Sequence, residues 1–149
     1  MQFKLVSFKA AIAAVALGMI SSLAVADDRP YTEGAIVNVA GIRTAYGHFD
    51  DYLKFLSTTW KAEQEAAKKA GLILSYEVLQ AEPRTENDPD IYLVITYKNW
   101  AALDGLAAKS DAIATQVYGS VMSSNQGAAD RSKIRRTLGS QTMQVLTLK

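Results

Sequence analysis

Few side chains in this sequence are equipped for chemistry. It has one histidine, His48, and no cysteine. Thiol catalysis, cysteine-based metal sites and thiol redox exchange are therefore excluded. His48 precedes Asp50 and Asp51, a spacing that gathers imidazole and carboxylates at one helix start and suits proton transfer or metal binding. The ordinary alternative is a solvated helix-start side chain. A Ser-His-Asp triad would have to use His48, but no G-x-S-x-G turn is present. Glu86, Asp88 and Asp90 alternate as calcium-loop ligands do, yet Pro89 interrupts them and neither the turn glycine nor the distant glutamate follows. That pattern reads as a solvated hairpin loop. Arg131, Lys133, Arg135 and Arg136 form a basic cluster suited to an anionic ligand or an acidic partner surface, or simply a solvated helix face.

A second group consists of polar side chains within apolar strand-like segments: Asn38, Tyr76, Glu77, Tyr92 and Tyr97. A few polar groups in an apolar concave space are the usual make-up of a small-molecule pocket. Glu77, if buried, would serve as a proton acceptor. Tyr76 and Glu77 are adjacent on one strand, so they point to opposite faces and the five cannot all share one pocket. Trp60 and Trp100 join Tyr76 and Tyr92 as candidate ligand-binding residues.

The positions of these residues depend on the elements that carry them. AIVNVAGIRT (35–44) reads as a strand, with Ile36, Asn38, Ala40 and Ile42 on one face and Val37, Val39, Gly41 and Arg43 on the other. The polar stretch 27–34 before it reads as an arm. From Phe49 to Ala70 apolar residues recur at helical spacing, with Asp50 and Asp51 at the start, Lys68 and Lys69 at the end, and Gly71 as terminator. Strands are expected at 72–81 and 91–98. Asn99 is placed to cap a helix from Trp100 towards Tyr118. The SSNQG stretch beyond Gly119 reads as a break, followed by a short helix over 130–138 that carries the basic cluster and ends at Gly139. A last strand is expected at 142–149.

Residues 1–26 read as a cleavable signal peptide. Lys4 and Lys9 precede and flank an apolar run, and Ala24-Val25-Ala26 supplies the small-x-small cleavage pattern. The run is too short for a permanent membrane span, so stable membrane insertion is not expected. The mature chain 27–149 is the size of one domain, expected in the periplasm or outside the cell. Losing Lys4 and Lys9 takes the 16 basic residues to 14 against 15 acidic. A net charge near −1 gives no general attraction to nucleic acid.

The order β-α-β-β-α-β, with an extra short helix before the last strand, predicts an α+β ferredoxin-like domain. In that arrangement strands one and three are central, and both are apolar on each face. Helices cover one face only. A second copy of the sheet is the simplest cover for the other, which predicts a homodimer with a barrel-like core.

The segments Gly47-His48-Phe49-Asp50-Asp51-Tyr52 and Val94-Ile95-Thr96-Tyr97-Lys98-Asn99-Trp100, with this element order, resemble the dimeric α/β-barrel superfamily. That group includes antibiotic-biosynthesis-monooxygenase-like, EthD-like and NIPSNAP-like proteins and many exported bacterial relatives. The resemblance implies a small apolar or aromatic ligand held between sheet and helices. It also implies an enzymatic alternative, a cofactor-independent monooxygenase or isomerase. There Asn38 and Tyr97 would orient the substrate while Glu77 or His48 moved a proton. The haem-degrading branch uses Trp where Tyr97 stands and a histidine on the second helix, where this chain has none, so no cofactor is expected. A structural or interaction protein without a ligand is the third reading.

Overall fold

The computed structural model describes residues 28–149. The signal-peptide reading of residues 1–26 lies outside them. The chain forms a four-stranded antiparallel sheet in the order β2-β3-β1-β4 with its helices packed on one face. The strands are β1 (Tyr31–Thr44), β2 (Ser75–Gln80), β3 (Ile91–Tyr97) and β4 (Arg135–Leu148). As the element order requires, β1 and β3 are central.

The helical layer begins with α1 (Phe49–Phe55), a π-helical turn (Leu56–Trp60) and α2 (Lys61–Lys69). The π turn has a local cause. The Ser57 and Thr58 hydroxyls donate to the Lys54 carbonyl at 3.0 and 2.8 Å, competing with the regular ladder. A 3-10 turn (Trp100–Leu103) follows β3, capped as expected by Asn99, whose side chain accepts from the Ala102 N–H at 3.1 Å. Gly105, at φ +63, separates that turn from α3 (Leu106–Tyr118). The expected single helix over 100–118 is therefore in two pieces.

The C-terminal third corrects the sequence reading. The SSNQG stretch lies within a helix, α4 (Val121–Arg131), rather than a break. Ser120 caps it by accepting from the Ser123 N–H at 3.0 Å, and one internal glycine is too weak a breaker to stop it. Instead of the expected helix, 130–138 holds the end of α4, a turn at 132–134 and the start of β4. Gly139, at φ +106, ends no helix but sits where the β1–β4 register shifts between Ala40 and Ile42. A residue in this conformation next to an extra strand position is the usual chemistry of a bulge. The far end of β4 pairs with Tyr31 and Thr32, so the second half of the expected arm over 27–34 is strand. Strand β2 is shorter than expected, because Ile73 leaves the strand and joins the core.

The core has two connected parts on the helix face. Ile42 and Ile91 pack with Tyr52, Leu56 and Trp60; Ile36 and Tyr97 pack with Ile73. On the opposite face β1 and β3 present Val37, Val39, Tyr92 and Val94, all partly exposed, with Leu79 and Met143 beside them. The sheet is thus apolar on both faces and covered by helices on one. Among the described residues no helix is long and apolar enough to cross a membrane.

Candidate functional site

Two of the candidate residues lie as diagonal neighbours on the helix face. Asn38 pairs with Ile95 and Ile36 pairs with Tyr97, which puts Asn38 and Tyr97 on the same side of adjacent strands. The Asn38 amide donates to the Thr142 hydroxyl at 2.9 Å, forming a polar cross-strand link between β1 and β4. Tyr97 is 8 % exposed and packed in the core, and burial pushes its phenol above the ordinary value. Trp100 is half exposed and donates from Nε1 to Gln144 at 3.2 Å.

Tyr76 shares the helix face, but its hydroxyl donates to Glu65, a bond that holds its phenol protonated to higher pH. Its ring meets Trp60 edge-on at 5.3 Å, and Trp60 is itself core. Glu77 and Tyr92 point to the opposite face. Glu77 is exposed, and Tyr92 lines a shallow groove of about 450 Å³ with Val39, Pro89 and Leu138. His48 stands at the start of α1 with Nδ1 2.8 Å from an Asp51 carboxylate oxygen, both side chains well exposed. The four candidate catalytic residues are therefore distributed over the helix face, the open face and a helix start.

The space between sheet and helices is small. A cavity of about 130 Å³ lies among Ala67, Leu72, Ile73, Ile95, Leu106 and Ile113, room for a few waters. The basic cluster is also redistributed. Arg131 stacks over the Phe55 ring at 4.0 Å, Arg135 lies over Tyr52 at 5.9 Å, and Lys133 reaches Asp130 at 3.4 Å. The buried Nε atoms of Arg131 and Arg135 have no hydrogen-bond partner, and the ring faces supply their contact instead. These arginines tie α4 and β4 to α1.

The larger concavity lies at the end of the sheet, where β1 and β2 finish and β4 begins. It measures about 990 Å³ and is lined by Arg43, Thr44, Tyr46 and Phe49 from β1 and the segment after it, by Arg136 of β4, and by Glu82, Glu86 and Asp90 of the loop after β2. The 81–90 loop builds the second wall. Asp88 accepts from the Arg84 and Thr85 N–H groups at 3.0 and 2.7 Å, which holds its carboxyl below the usual range. Asp90 accepts from the Thr44 N–H and hydroxyl. Arg136 donates to the Glu86 carbonyl at 2.6 Å. Asp88 and Asp90 thus turn to separate partners, and among the described residues no three His, Cys, Asp or Glu side chains gather as metal ligands. Pro89 folds over Gly41, where an added Cβ would come within 3.1 Å of the ring.

No sequence-family profile and no curated protein sequence matches the chain. Among solved structures it is similar to HapK from Hahella chejuensis, with 12 % identity, a TM-score of 0.50, and 72 % of this chain and 90 % of that one covered. It is also similar to a dimeric ferredoxin-like protein from an uncultured marine organism, with 11 % identity, a TM-score of 0.51, and coverage of 79 % and 98 %. The fold is ferredoxin-like, as in these neighbours. At such identities the likeness concerns the fold alone, and activity has to be argued from the site.

Sequence reasoning missed the end cleft. Arg43 was legible only as a strand residue, and the Thr44–Asp90 link joins positions 46 residues apart with no local motif. Also missed was a cluster in which Tyr118 donates to the half-buried Glu63 at 3.4 Å. Burial pushes the Glu63 carboxyl above its ordinary value, partly offset by that bond and by Arg131.

Proposed function

We propose that this is an exported, homodimeric small-molecule-binding protein whose ligand occupies the cleft at the end of the sheet. One observation carries the reading: the 990 Å³ concavity, of the size that small-molecule sites have, walled by Phe49 and Tyr46 and by a few charged groups. The 130 Å³ space between sheet and helices is too small for such a ligand. Export is supported by Lys4, the apolar run and Ala24-Val25-Ala26. The homodimer is supported by the uncovered apolar face of β1 and β3 and by the dimeric neighbour of the same fold. The monooxygenase or isomerase alternative requires Asn38 and Tyr97 to meet a substrate with Glu77 or His48 in reach, but Glu77 points to the opposite face and His48 stands at the start of α1.

Native mass spectrometry of the protein purified from the exported fraction tests the reading. A dimer carrying an additional small mass is expected, and Ala45→Trp, which narrows the cleft, should remove that mass while leaving the dimer. An added mass that persists in Ala45→Trp would place the ligand elsewhere. A monomer would overturn the paired-sheet part.

A further inference from the structure

Arg43 and Arg136 are Cα partners across the β1–β4 ladder, and both line the cleft. Like charges directly opposite on adjacent strands are unfavourable unless something else neutralises them. For Arg136 the 81–90 loop provides partners: its guanidinium donates to the Glu86 carbonyl and, at 3.4 Å, to Asn87 Oδ1. The Arg43 guanidinium, on a partly buried residue, has no hydrogen bond or ion pair with any described residue. The cleft carboxylates do not relieve it. Asp90 is held by Thr44, and neither Glu82 nor Glu86 pairs with an arginine side chain.

We propose that Arg43 is an anion-binding residue that fixes the carboxylate of a small organic acid, with the acid's apolar body against Phe49. The inference rests on the end cleft being the ligand site. A guanidinium offers a planar fork of donors that matches a carboxylate. The wall's own charges select the ligand class. The lining carries two arginines and three carboxylates, so anions are held only by direct contact with a guanidinium, and a dianionic phosphate meets about twice the background repulsion of a singly charged carboxylate. Phe49 offers an apolar contact for the body of such an acid.

The test is an NMR titration of the dimer that follows backbone amides and the arginine Nε–H signals, with benzoate, neutral benzamide and inorganic phosphate as probes. Benzoate should shift Arg43 Nε–H together with the Gly47 and Ala81 amides, and benzamide and phosphate should bind at least about tenfold more weakly. Arg43→Gln should weaken benzoate about tenfold or more, the usual scale for losing a charge-assisted hydrogen bond, with dimer mass and thermal midpoint unchanged. If benzoate and benzamide shift the cleft equally, the cleft is a binding site and the anion assignment is wrong. If no probe shifts the cleft, both readings fall. If Arg43→Gln dissociates the dimer, the guanidinium is a subunit contact and the proposal is overturned.

Discussion

The Asp90 carboxylate accepts hydrogen bonds from both the backbone N–H and the hydroxyl of Thr44, with the N–H 3.1 and 3.2 Å from its two oxygens. This contact fastens the 81–90 loop to the end of β1 and so fixes the cleft wall. The Asp90 N–H also donates to the Ile42 carbonyl at 3.0 Å, clamping the loop from the backbone side. Asp90→Ala leaves two partly buried donors without an acceptor and should cost about 1–3 kcal/mol. Thr44→Val removes only the hydroxyl bond and should cost about 1 kcal/mol. Urea unfolding measures both. Equal losses would show that the N–H bond contributes nothing.

Ile91 is fully buried and belongs to the group that joins β1, β3 and the π turn. Ile91→Ala removes three carbons from a site whose neighbours, Tyr52, Leu56 and Trp60, come from one rigid helical segment and relax poorly. The expected loss is about 2–5 kcal/mol, against less than about 1 kcal/mol for Met122→Ala on the exposed start of α4. Denaturant midpoints at constant m-value check the contrast.

The sheet order and the two-faced character of the central strands were legible because alternation over 35–44 and 91–98 is regular and each strand is bounded by turn residues. The face of each candidate was legible for the same reason: a period of two puts Asn38 with Ile36 and Tyr92 opposite Tyr97. The C-terminal third was not legible, because Gly139 has two readings that local sequence does not separate. A positive-φ glycine ends helices and also makes bulges, and only the pairing of the flanking Ser140 and Thr137 with Ala40 and Ile42 decides between them. Likewise Arg131, Arg135 and Arg136 look like one charged face until the turn at 132–134 sends them to Phe55, Tyr52 and Glu86. The end cleft is assembled from three chain segments, so no single stretch announces it.

Val39 lies mid-strand on the uncovered face, paired with Val94 on one side and Gln141 on the other. If a second sheet covers this face, Val39→Lys places an ammonium group in an apolar interface with no partner. An unpaired ammonium buried in an apolar interface is strongly penalised. Sedimentation should show the mass halving, with the circular dichroism of the monomer unchanged. Glu77→Gln, at the exposed edge, should leave the mass as it was. A Val39→Lys protein that stays dimeric would move the interface to another surface.

Glu63 connects stability to pH in a direction opposite to that of a salt-bridged carboxylate. Burial raises its pKa above the ordinary 4.5, while the Tyr118 hydroxyl and the positive charge of Arg131 oppose the shift without cancelling it. Between the unfolded and the raised folded value, the folded state therefore binds more proton than the unfolded state. Stability must fall as pH rises through that window and level off above the folded pKa. Glu63→Gln keeps an oxygen for Tyr118 to donate to and removes the charge that burial penalises. The variant should match the parent near pH 4, gain on it as pH rises past 4.5, and hold a constant advantage at neutral pH. Thermal midpoints of the pair from pH 4 to 8 test this, with Tyr118→Phe as the control that removes the hydrogen bond alone. A variant less stable than the parent at pH 7 would mean that Arg131 outweighs burial and that Glu63 acts there as a paired carboxylate.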